Sequence, residues 1–175
     1  MPVEVGHVIR ELSSYLSDHP GERMGVMPLY DAARDHAQRR ACTHGGRCPA
    51  IVAGPIVLNE AGHVLAFEHE GRHLLFENEP NDEDTTLSGT ALRILEGTIG
   101  TRDVWTEPGA EGPFLVDVAP SGQSHFGPRV RVGFRYLFRA HSDLIGAGPW
   151  SWVEPKEIGI HAVRERILSH PVSIA

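Results

Sequence analysis

"TLSGTALRILEGTIG", residues 86–100, is the stretch on which the reading of this chain turns. It predicts an amphipathic helix that stops at Gly100, with Thr85 or Thr86 as N-cap and Asp82, Glu83 and Asp84 near the positive end of its dipole. Ile94, Gly97 and Thr98 stand at i, i+3 and i+4 and so share one face, which carries no charge. Glu96 is the one carboxylate in the helix body, about 100° or more away from that face. Ser88 and Gly89 are small residues that permit close packing.

Upstream, residues 4–17 place Val5, Val8, Ile9, Leu12, Tyr15 and Leu16 on a helical stripe ended by "DHPG", and a second helix is expected from Pro28 to about Arg40. The texture then turns to strands: "AIVAGPIVLN" is a near-continuous apolar run, and "VLAFEHEGRHLLFE" reads as two short strands joined at Glu70 and Gly71. Residues 78–86 form an acidic loop before the helix. Downstream come strands at Asp103–Trp105, "FLVDVA", "RVRVGFRYLFRA" and "PWSWV". The third of these alternates Val130, Val132, Phe134, Tyr136 and Phe138 against a basic face of Arg129, Arg131, Arg135 and Arg139. A last helix is expected from Pro155 to Ser169. Helices, strands, a central helix, strands and a helix predict an α/β chain with a mixed sheet held between helices.

The 175 residues suit one domain with a short helical extension, divided as 1–45 and 46–175. A net charge of −7 argues against nucleic acid as a general partner. The chain has no apolar run long enough to span a membrane and no signal peptide at its start, so a cytoplasmic protein is expected, with a homodimer left open. Cys42, His44 and Cys48 in "CTHGGRC" offer three soft ligands where a structural zinc site wants four, and read as two ordinary thiols and a histidine.

Order and local phrases together resemble the Nudix family, whose α/β/α sandwich commonly hydrolyses nucleoside diphosphates linked to another group. "IVAGPIVLNEAGHVLAFEHEGRHLLFE" resembles the family's first strands, "DTTLSGTALRILEGTIG" its box helix, and "RVGFRYLFRA" with "WSWVEPKEIG" its closing strands and last helix. The likeness spans roughly residues 50–168. On this alignment Arg93, Leu95 and Gly100 keep scaffold positions of the box. The three metal-binding glutamates fall on Ile94, Gly97 and Thr98, the earlier glutamate on Thr85 and the leading glycine on Glu79. The family's P-G-G loop has become Phe76–Asn78, and its H-x-D phrase falls on Arg131 and Gly133. The resemblance therefore implies a Nudix-like fold with a degenerate box and no metal ligands on it.

Three functions fit these residues. The leading expectation is an enzyme of small-molecule metabolism using side-chain acid/base chemistry, with His69, His73, Glu77, Glu79 and His125 as catalytic candidates. Phe76, Arg93, Trp105, Arg131 and Arg135 are then candidates to bind substrate. The second is a non-catalytic binder of a small molecule, with Arg131, Arg135 and Arg139 for an anionic group and Trp105, Trp150 or Trp152 for a ring. The third is weak magnesium binding by the displaced acids Glu77, Glu79, Asp82, Glu83 and Asp84, giving hydrolysis of nucleoside diphosphate compounds. No cofactor motif is present: the chain lacks a P-loop, a G-x-G-x-x-G and a G-x-S-x-G elbow.

Overall fold

The computed structural model describes residues 3–39, 49–107, 109–124, 127–144 and 148–170, and the side chains of these residues outside 121–129. The junction expected near residue 45, His125, and the Cys42, His44 and Cys48 group fall outside them. The described residues form a mixed α/β structure with four helices on a six-stranded mixed sheet.

The apolar stripe near the N-terminus becomes α1 (Val5–Asp18), which buries Val8, Leu12 and Tyr15. A 3-10 turn at Pro20–Glu22 leads directly into α2 (Arg23–Arg39). Helix α2 thus starts five residues before Pro28, which sits inside it. The proline forfeits one helical bond, and the turn before it is held because Val26 is buried in the core.

The sheet runs β3-β2-β1-β5-β4, with β6 on the other edge of β2. Its centre is β1 (Ala50–Leu58), parallel to β5 (Gly127–Arg139) in an unbroken register from Ala50↔Arg131 to Leu58↔Arg139. Strand β4 (Leu115–Ser124) closes one edge antiparallel to β5. Pro120 lies on this edge strand, where a missing N–H is tolerated. On the other side β2 (Val64–His69) and β3 (Arg72–Leu74) form the hairpin, and β6 (Trp150–Val153) pairs with β2. Glu70 and Gly71, at φ 50° and 72°, make the hairpin turn. The expected strand at Asp103–Trp105 is reduced to a single bridge between Trp105 and Arg139.

Alternation along the strands divides the core in two. On one face Ala53, Val57, Leu65, Val116, Val132, Phe134, Tyr136 and Phe138 pack with α1, α2 and α3 (Leu87–Ile99). On the other, Ile56, Leu58, Val64, Leu115 and Leu137 pack against α4 (His161–Ser169). The expected helix from Pro155 breaks into a 3-10 turn at Pro155–Glu157 and α4 because Ile158 leaves the helical path, fills this second core and bridges to His73.

Helix α3 follows its sequence closely. Thr86 is the N-cap, its side chain accepting from the Gly89 N–H at 2.9 Å, and Gly100 ends the helix at φ 78°. Leu87, Ala91 and Leu95 are fully buried against the sheet, mainly over β1. Leu95→Ala is expected to lower the unfolding free energy by about 2–5 kcal/mol in urea titrations. Glu96→Ala, which removes only an exposed pairing with Arg102, is expected to cost less than about 1 kcal/mol.

Candidate functional site

Ala53 exchanges both backbone hydrogen bonds with Asn78, so the segment after β3 begins to pair with β1. Continued one step, that antiparallel ladder would set Pro55 against Phe76, with residue 55 donating to the Phe76 carbonyl. Proline has no N–H to give. The carbonyl instead turns over Gly54, where a Cβ would lie 2.1 Å from the Phe76 oxygen, and accepts from Arg135 Nη1 at 3.0 Å. The side chain of Arg135 is 1% exposed.

This arginine belongs to a partly buried quartet on the α4 face of the sheet. Arg135 Nη2 also donates to Glu77, and its Nε lies 3.4 Å from Asp117 Oδ1. Arg131 Nη1 donates to Glu77 Oε2 at 2.6 Å, and its Nη2 donates to Asp117. Between the two arginines Gly133 leaves room for them: a Cβ there would lie 2.5 Å from Arg131 Nη1 and 2.6 Å from Asp117 Oδ1. Two arginines and two carboxylates balance, so this part of the basic face of β5 is internally neutralised. Arg139 is paired in the same way with Glu107 at 2.6 Å. Burial opposes the charge on Glu107, but Arg139 and His170 together hold its carboxyl below the ordinary range.

The opposite face carries rings. Phe67, Phe76 and Trp150 form a half-buried triad with centroids 4.9–6.3 Å apart, Phe76 edge-on to Trp150. Beside it Trp152 is half-buried, its indole N–H donating to the Ser142 carbonyl at 2.8 Å. Helix α3 lies over β1, while α1 reaches β4 and shares a core with Val132 and Phe134, so the β2–β6 side of this face keeps rings at the surface.

The loop into α3 is fastened by Arg93. Its Nε donates to Asp84 Oδ1 at 2.9 Å and its Nη2 to Asp84 Oδ2 at 2.8 Å, with a longer contact to the Glu79 carbonyl. The Arg93 hydrogen bonds hold the Asp84 carboxyl below its usual range. The acid partner of this arginine is therefore Asp84, in the loop that leads into the helix.

The candidates named from sequence separate into groups. Glu77, Phe76, Arg131 and Arg135 come together in and beside the quartet. Arg93 and Glu79 meet at the loop. His69 is 59% exposed near the hairpin tip. His73 faces Glu157, its Nδ1 3.5 Å from Oε2. Trp105 lies apart beside His141, at 5.1 Å between centroids. Asp117 and Gly54 are not among the sequence candidates, and Gly133 enters there only as a position on which the H-x-D phrase falls; a lone acid in the apolar strand "FLVDVA" is the available signal for the first.

Divalent metal is the group a Nudix-like box would hold, and the donor set does not fit it. Ile94 is buried, Gly97 has no side chain and Thr98 has only a hydroxyl. Among the loop acids Glu77 and Asp84 are already bound by arginines. Among the described residues no group of three or more His, Cys, Asp or Glu side chains is arranged to hold a metal ion.

Solved structures similar to this chain include Nudix hydrolases. An Ap4A hydrolase from C. elegans is 12% identical over 69% of this chain and 93% of its own, with a TM-score of 0.46. The Nudix hydrolase RenU from M. smegmatis is 16% identical over 70% of this chain and 85% of its own, at 0.44. The NUDIX domain of Shewanella oneidensis NrtR, solved with ADP ribose, is 13% identical over 69% and 82%, at 0.41. No protein-family model matches the sequence, and no curated protein matches it. Among the described residues no helix is long and apolar enough to cross a membrane.

Gly54→Ala tests the turned carbonyl. The new methyl would displace the Phe76 oxygen and strip Arg135 of its partner, so a loss of about 3 kcal/mol or more is expected in chemical denaturation. Asp84→Asn is expected to weaken the protein above the range in which Asp84 protonates. The lowered folded value gives stability that is present above the ordinary carboxyl range and lost as pH falls, so wild type and variant should converge in acid.

Proposed function

We propose that this chain is a Nudix-like ligand-binding domain that takes a small molecule bearing a planar ring, seated on the triad of Phe67, Phe76 and Trp150. The observation that carries this reading is the triad itself: three half-buried rings on the α3 face of the sheet, beyond the strand that α3 covers. Aromatic side chains in such a setting offer a flat apolar surface for stacking. The quartet supports the reading mechanically, because Arg135 fixes the Phe76 carbonyl and with it the backbone that presents the Phe76 ring. The uncharged face of Ile94, Gly97 and Thr98 supports binding without metal-assisted hydrolysis at α3.

Acid/base catalysis is the second reading, and one observation favours it. His73 is 24% exposed and 3.5 Å from Glu157, a histidine–carboxylate pair at the hairpin.

One experiment separates the readings. The purified chain is titrated with ADP ribose, ADP and adenosine while tryptophan fluorescence is followed, and product formation is assayed with and without magnesium. Quenching that saturates, is unaffected by magnesium and weakens about tenfold in Phe76→Ala or Trp150→Ala is the expected result. Turnover abolished by His73→Ala would establish the second reading. Magnesium-dependent turnover would sink the first and restore the displaced loop acids.

A further inference from the structure

The first peptide N–H of α3 is capped from outside its own loop. Leu87 N–H donates to His7 Nε2 of α1 at 3.0 Å, a bond between residues 80 positions apart. Helix N-termini leave such donors without partners in their own helix, and His7, 7% exposed, supplies the acceptor in a site closed to water. An imidazole accepts at Nε2 only when that nitrogen carries no proton.

An alternative partner stands beside it. Glu11 Oε1, one turn further along α1, lies 3.5 Å from the same Nε2. The other oxygen of Glu11 accepts from the Tyr136 hydroxyl of β5 at 2.9 Å. Neutral His7 binds α3; protonated His7 presents N–H to the Leu87 N–H, which repels it, and to the Glu11 carboxylate, which attracts it. The groups acting on the ring are Arg10 and Glu11 from α1, the positive end of α3, and Tyr136 through Glu11.

The seat of α1 is also loosely filled. A cavity of about 110 Å³ lies between α1, α2 and the sheet, lined by Val5, Val8, Leu12, Leu29, Val132 and Phe134 among others. Because this pocket is partly open, α1 is held there by fewer apolar contacts than hold the strands beneath it.

We propose that α1 is an acid-released clasp on the start of α3, with His7 as its latch. Above the ordinary imidazole range the latch is closed. As pH falls, protonated His7 leaves Leu87 for Glu11, and the α1 layer lifts from the Val132–Phe134 surface while the sheet stays folded.

The direction follows from linkage. Burial, the largest influence, and Arg10 hold the docked His7 below 6.5, against the pull of Glu11. The released form takes up the proton more readily, so docking is at full strength above that value and weakens as pH drops below it.

The test is amide exchange of the full chain by NMR, expressed as protection factors across pH from about 7.5 to 5.5. In wild type the Leu87 amide is expected to lose protection by up to about tenfold per pH unit below the ordinary imidazole range, while Phe134 in the sheet holds its protection. His7→Gln keeps a neutral acceptor and is expected to remove this dependence. Glu11→Gln removes the carboxylate that receives the proton's charge and is expected to move the loss to lower pH. A flat wild-type profile, an undiminished loss in His7→Gln, or an unmoved midpoint in Glu11→Gln overturns the proposal.

Discussion

The hydrogen bond from Arg135 to the Phe76 carbonyl is the constraint around which the sheet is arranged. It exists because a proline stands in the central strand. Pro55 faces the edge on which Ala53 pairs with Asn78, so the ladder there cannot continue through the backbone. A buried carbonyl without a partner costs about 1–3 kcal/mol, and the guanidinium offsets that by crossing Gly54, the one residue type that leaves space for it. Arg135, itself buried, then needs its own charge compensated. Glu77 and Asp117 do this, and Gly133 admits Arg131 as the fourth member. Removal of a partner from a buried ion cluster leaves a charge uncompensated, so the four side chains and two glycines depend on one another.

This arrangement couples the two faces of the sheet. Along the extended segment Phe76 and Glu77 point to opposite sides. Glu77 enters the quartet beside the α4 core, and Phe76 joins the rings on the α3 side. The ring surface is held from behind by a salt-bridged network, and the loop that follows is held by Arg93 on Asp84. A ring surface positioned this way rests on strands and paired charges rather than on a free loop.

The sequence revealed what is local and left hidden what is distant. The α1 stripe, the Thr86 cap and Gly100 stop of α3, the turn at Glu70 and Gly71 and the alternation of β5 all follow from short-range periodicity and capping, and the structure has them. The start of α2 differs from the expected one because Pro28 reads as a first-turn residue, while burial of Val26 carries the helix back to Arg23. The last helix is shorter than its pattern predicts because Ile158, apolar and in phase, answers to the core and to His73 rather than to the helix. At the site, Arg131 and Arg135 are legible as a basic face, but the two acids that together neutralise them are distant in sequence: Asp117, 14 and 18 residues away, and Glu77, further still. His7 went unnamed for the same reason: its importance lies in an N–H supplied by Leu87.

The parallel pairing of β1 with β5 has a kinetic meaning. Its nine register pairs, Ala50↔Arg131 to Leu58↔Arg139, each join residues separated by about 80 positions. None of them forms until a long loop of chain has closed, and closure costs entropy before any contact repays it. Helices α1 and α3 are able to flicker into shape early, whereas β1 waits, with Pro55 barring its neighbouring edge from wrong partners in the interval. The same proline that leaves the Phe76 carbonyl to Arg135 therefore also withholds a donor from any other strand that would pair along that edge.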